Sequence, residues 1–179
     1  SAADGKTEVT FESCVIAAGS EPVKLPFLPD DERILDSTSA LELKKIDGRL
    51  LIIGGGIIGC EMATVYNALG AKVSVVEMTN QIMPGADRDL VKPCQKIMAQ
   101  RGIDFHLNTK VVSVEASANG FKVTFEGGSA PEEAVVYDQI LASVGRIPNG
   151  KLIEAEKAGV SVDERGFIQT DAQLRTNQP

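Results

Sequence analysis

The stretch 50-LLIIGGGIIGCEMA-63 decides the fold. Four apolar residues run into Gly54, Gly56 and Gly59, spaced G-x-G-x-x-G, and a helical pattern follows at once. A second, mostly apolar run at 73–76 ends on the acidic residue Glu77. The order is strand, glycine corner, helix, strand, acid. Each part has a separate physical task. Gly54 permits the tight turn out of the strand, Gly56 lets a ligand approach bare backbone, and Gly59 lets the helix pack closely on the sheet. The helix start then presents N–H groups without acceptors and a partial positive charge.

That combination predicts a βαβ unit that receives a dinucleotide pyrophosphate at Gly54, Gly55, Gly56, Ile57, Ile58 and Gly59. Glu77 is then placed to accept hydrogen bonds from the adenosine ribose and to repel a 2′-phosphate. Met78, Thr79, Asn80 and Gln81 follow it, with no arginine among them, so NAD(H) is expected rather than NADP(H).

Outward from this centre, residues 7–11 and 13–18 read as strand-like pieces, the second as a buried run. Pro22, Pro26 and Pro29 mark a surface connection. Residues 36–38 read as a cap for a short helix at 39–44 that packs through Ala40, Leu41 and Leu43. The helix at 57–69 is expected to face inward with Ile58, Met62, Val65 and Leu69, and to stop at Gly70. A second helix falls at 87–100 with Val91, Cys94, Ile97 and Met98 inward. It is expected to begin near Leu90, because Pro93 belongs in a first turn or at a kink. A third strand is placed at 104–107. Alternating runs at 110–116, 121–126 and 134–138 predict an antiparallel meander where an unbroken doubly wound sheet would have a crossover helix. A buried strand at 140–144, a helix near 153–157 and short strands at 160–162 and 167–170 complete the reading.

Composition sets outer limits. The 179 residues are 43% hydrophobic and 24% charged, with a net charge of −7. That charge, without a basic stripe, argues against a nucleic-acid partner. No apolar run approaches the ~20 residues of a membrane-spanning helix. Cys14, Cys60 and Cys94 make no C-x-x-C pair and read as buried thiols, consistent with a reducing, cytoplasmic setting. His106 reads as a strand residue and not as a catalytic base.

Further segments resemble one family. They are CVIAAGSEP, LPFLPDD, DSTSALEL, LNTKV, ILASVGRIPNG and AGVSVDERGFIQTDAQLRTNQP, together with the glycine stretch, in this order. The chain resembles the pyridine nucleotide–disulfide oxidoreductases, and within them the lipoamide-acting branch. The resemblance implies an α/β fold: a Rossmann-like parallel sheet with a three-stranded antiparallel meander, flanked by remnants of FAD and central domains. Residues 1–40 would belong to the FAD-binding domain and its connection, 41–149 to the NAD-binding domain, and 150–179 to the start of a central or second FAD segment. The family's C-x-x-x-x-C disulfide, N-terminal FAD glycine motif, A-x-G-D segment and His-Glu pair do not occur in these residues. The expectation is therefore a central fragment, inactive alone, with no catalytic residue and no metal site of its own.

The resemblance also implies roles. Glu61 would lie by the nicotinamide carboxamide and the flavin edge; read without the family, it is a first-turn carboxylate favoured by the helix dipole. Val111 would cover the adenine, and Gly145 would let the nicotinamide approach. Ala17 and Gly19 would touch FAD, although Ala18 stands where the family usually has Thr. Implied cofactors are NAD and, in the parent, FAD. Implied partners of the parent are NAD(H), lipoyl domains of 2-oxo-acid dehydrogenase complexes such as the pyruvate complex, and a second copy of itself. Two alternatives stay open: another NADH-linked flavin disulfide reductase or soluble transhydrogenase, and a stand-alone nucleotide-binding module.

Overall fold

A computed structural model describes residues 8–179, which form two compact units. The larger is Pro22–Ile147, and the smaller joins residues 8–21 to Pro148–Pro179.

The larger unit is built on a five-stranded parallel sheet. Its strands are β2 (Ile34–Leu35), β3 (Arg49–Ile53), β4 (Lys72–Val76), β5 (Asp104–His106) and β9 (Gln139–Ala142), in the order β2-β9-β3-β4-β5. Ile53 is level with Val76 on one side and with Ala142 on the other, so three strands end side by side. Both faces of this sheet are covered, which explains the near-continuous apolar runs in β3 and β9. Leu50, Ile52, Val73, Val75 and Leu141 point to one face, where α1 (Ile57–Ala68) and α2 (Arg88–Gln100) pack. Leu51, Ile53, Val76 and Ile140 point to the other. That face is covered by Phe121, Val123 and Tyr137 of an antiparallel meander, β6 (Thr109–Ser117), β7 (Gly120–Gly127) and β8 (Val135–Tyr137). The expected fold class, with the meander in place of a crossover helix, is what forms.

Several local expectations are corrected. The inward face of α1 is Gly59, Cys60, Ala63 and Tyr66, while Val65 and Leu69 are exposed. Small residues let the helix axis come down onto the sheet, and close approach decides the face. The Tyr66 hydroxyl then donates to the Ala40 carbonyl at 2.9 Å. Helix α2 begins at Arg88, so Pro93 lies in its second turn, and Ile97 is exposed. The short helix at 39–42 is 3₁₀, and only Ala40 of its expected packing residues is buried. Its start is held by Asp36, whose Oδ1 accepts the Thr38 and Ser39 N–H groups, both at 2.8 Å.

In the smaller unit, residues 13–18 form no strand, and Cys14 is exposed. Among the described residues no strand lies beside them, so their backbone has no ladder to join. Of the piece at 7–11, Thr7 lies outside the described residues, and the rest is not a strand. The expected helix near 153–157 is a 3₁₀ turn, Ala155–Ala158. The two short terminal strands reduce to one bridge between Val162 and Ile168. A separate two-stranded sheet pairs β1 (Ser20–Pro22) with β10 (Arg146–Pro148). No helix among the described residues is long and apolar enough to cross a membrane.

Candidate functional site

Ligands of open α/β sheets bind beyond the carboxyl ends of the strands, where strand order reverses. Here the chain leaves β3 towards β4 and β5 on one side and returns as β9 on the other. At that point lies a cavity of about 680 Å³, and Ile53, Val76 and Ala142 form its floor. The segments that follow those three strand ends form its walls: Gly54 with Gly56 to Ile58, Glu77 and Met78 with Pro84, and Ser143 to Gly145.

The glycine corner is shaped as its motif requires. Gly54 has φ +106°, and a Cβ there would lie 2.5 Å from the Ser143 carbonyl oxygen. A Cβ at Gly59 would lie 2.1 Å from the Gly54 carbonyl oxygen. Gly56, the residue capping α1, differs: a Cβ there would meet no atom within 4 Å. The protein itself does not need that position bare. The empty space lies against the cavity and beside the first N–H groups of α1, where an anion is favoured. The residues therefore fit a pyrophosphate.

Glu77 is half-buried at the mouth. One carboxylate oxygen accepts the Gly55 N–H at 2.8 Å, and the other accepts the Thr79 N–H at 2.8 Å. A carboxylate has about four acceptor positions, so capacity remains for two hydroxyl donors. Beneath the corner, the Cys60 thiol donates to the Gly55 carbonyl at 3.4 Å. Burial pushes this thiol up to about 12, with Cys94 and Glu77 adding to the shift. At neutral pH it is an inert packing group. Cys94 is half-buried, so of the three cysteines only Cys60 is fully buried as expected.

Of the expected site residues, Gly54, Gly56, Ile57, Ile58, Glu77, Val111 and Gly145 line this one cavity. Gly55 and Gly59 are buried behind it and shape the corner. Glu61 is exposed on α1 and is not part of the lining. Ala17 and Gly19 belong to the smaller unit, where the Gly19 carbonyl accepts the Asn149 N–H at 3.0 Å. His106 is bound to the Ser129 carbonyl at 2.9 Å through Nδ1 and lies outside the cavity. Sequence reasoning missed Ser143, whose hydroxyl donates to the Ile53 and Gly54 carbonyls at 3.2 and 3.0 Å and so ties β9 to the corner. It also missed the apolar wall of Leu25, Phe27 and Pro84. Ser143 directly precedes the V-G-R-I-P segment, a usable signal, whereas the wall residues lie in irregular loops with no pattern.

The family profile described as pyridine nucleotide-disulphide oxidoreductase matches residues 1–179. The chain belongs to that family. Among curated oxidoreductases of this kind, dihydrolipoyl dehydrogenase of Vibrio cholerae is 57% identical over 177 residues, covering 98% of this chain and 37% of the relative. The Haemophilus influenzae dihydrolipoyl dehydrogenase is 54% identical over 174 residues, covering 97% and 36%. The chain thus spans little more than a third of the length of these relatives. A solved family structure, the HOCl-induced flavoprotein disulfide reductase RclA from Escherichia coli, matches with a TM-score of 0.77 at 31% identity, over 90% of this chain and 36% of that one.

Proposed function

We propose that the larger unit is the NAD(H)-binding domain of a flavin-dependent disulfide oxidoreductase whose full-length parent is a dihydrolipoamide dehydrogenase. The observation that carries the reading is one cavity with an unfilled glycine position at one wall and a fixed carboxylate at its mouth. The high identity to dihydrolipoyl dehydrogenases supports the lipoamide branch over the other flavin disulfide reductases. In this reading the smaller unit is made of parts of the neighbouring FAD and central domains, with Ala17 and Gly19 on the flavin side. Homodimerisation and docking to lipoyl domains are properties of the parent in the same proposal.

The chemistry supplied by the bound cofactors is hydride exchange between flavin and nicotinamide. The chain's own residues bind and orient. The first N–H groups of α1, at Ile57 and Ile58, donate to phosphate oxygens above Gly56. Glu77 accepts from the ribose hydroxyls. Val111 and Met78 give the adenine an apolar seat. Gly145, with φ +129° and no side chain, leaves room at the far wall for the nicotinamide. Glu61 serves the carboxamide side in this scheme. Orientation of this kind lowers the barrier by removing entropy cost in advance.

Titration of the chain with NADH and NADPH tests the reading. NADH is expected to bind at least about tenfold more tightly, as repulsion of a 2′-phosphate by a carboxylate implies. Glu77→Gln should narrow that ratio. Equal or tighter NADPH binding by the unmodified chain overturns the assignment. For the parent, absence of dihydrolipoamide-dependent NAD⁺ reduction by the full-length protein overturns the lipoamide branch.

A further inference from the structure

The glycine corner is held at both of its central peptides. The peptide joining Gly54 to Gly55 is held through its N–H, which donates to Glu77 Oε2 at 2.8 Å. The next, joining Gly55 to Gly56, is held through its carbonyl, which accepts the Met83 N–H at 2.7 Å. Met83 has φ +46°, a left-handed conformation that a non-glycine residue adopts at a cost. The other oxygen of Glu77 holds Thr79, at the start of the loop that carries Met83. Glu77 cannot drift, because its own N–H donates to His106 and its carbonyl accepts from Thr109, both at 3.0 Å. The space around Gly55 is also closed: a Cβ there would lie 3.0 Å from Glu77 Cβ and 3.3 Å from Ile82 Cγ2.

We infer that Glu77 is a positioning residue for the phosphate-binding corner as well as an acceptor for a ribose. Three consecutive glycines have much backbone freedom to lose. A carboxylate that accepts two backbone N–H groups, one from the corner and one from the loop at 78–86, fixes that freedom before ligand arrives. Only an acid does both, because a glutamine side chain has one acceptor oxygen and a basic side chain has none. The functional half of this inference rests on the dinucleotide reading above. Its consequence is that residue 77 governs the affinity of any phosphate-bearing ligand, including one with no adenosine to reach it.

Two measurements test it. In the ligand-free chain, Glu77→Ala should raise amide hydrogen exchange at Gly55 and Thr79 by at least about tenfold, with the interior of α1 unchanged. Glu77→Gln should keep protection at one of the two. The chain is then titrated with reduced nicotinamide mononucleotide, which has a phosphate and no adenosine. Its affinity should fall about tenfold in Glu77→Ala, alongside that of NADH. Unchanged exchange at Gly55, or loss of NADH affinity with reduced mononucleotide binding intact, overturns the inference. If neither nucleotide binds the unmodified chain, the dinucleotide reading and the functional half fail together, and the exchange data still judge the anchoring by itself.

Discussion

A methyl group on Gly54 would sit 2.5 Å from the Ser143 carbonyl oxygen, on a residue whose φ is already +106°. Two residues on, the same methyl group on Gly56 would meet nothing. The two glycines should therefore fail in different ways. Gly54→Ala is expected to lower stability by several kcal/mol, as strain and a backbone clash combine. Gly56→Ala is expected to cost at most about 1 kcal/mol, the scale of a helix-cap change, and yet to abolish NADH binding. Chemical denaturation beside a fluorescence titration separates them. A Gly56→Ala chain that binds NADH normally would remove the corner from the site.

At the scale of elements, α1 is tied to the segment before β3 by a buried hydrogen bond, from the Tyr66 hydroxyl to the Ala40 carbonyl. Tyr66→Phe strands that carbonyl and is expected to cost about 1–3 kcal/mol, read as a lower denaturation midpoint with unchanged slope. The strands and the turn of the βαβ unit were readable because local sequence determines them: an apolar run, a glycine at Gly54 where φ is positive, an acid after the second run. The face of α1 was not. Hydropathy alone selects Ile58, Met62, Val65 and Leu69, while packing distance selects the smaller Gly59 and Ala63 with Tyr66. The same limit hid one apolar wall of the cavity. Leu25, Phe27 and Pro84 have no periodicity, and only the assembled sheet brings them to the mouth. Residues 13–18 show the opposite error, since β-propensity was present without a neighbouring strand to use it.

Across the larger unit, the meander is tied to the stretch leading into β2 by Arg33. Its guanidinium lies 4.6 Å from the centre of the Phe121 ring, donates to the Ser117 carbonyl at 3.0 Å and pairs with Asp31 at 2.7 Å. Hydrogen bonds from the Arg33 side chain and backbone N–H hold Asp31 down to about 2, from an ordinary 3.8. The folded state therefore binds fewer protons than the unfolded state between those values. The stabilisation is complete above about 3.8 and is lost as pH falls towards 2. Amide exchange across β6 and β7 should quicken over that interval, and Arg33→Met should remove the dependence. An unchanged acid profile in Arg33→Met would show that other carboxylates govern the transition.

The hydroxyl of Ser143 reaches back 90 positions to the Ile53 carbonyl, and β9 fills the slot between β2 and β3. A ribosome makes the glycine signature and its acid long before it makes that strand. Until residues 139–145 emerge, β3 keeps one naked edge and the pocket lacks its third side. A polypeptide stopped after Asp138 would carry every letter of the nucleotide signature and still should not quench or enhance NADH fluorescence. Competence to bind arrives late in synthesis, as a property of the closed sheet.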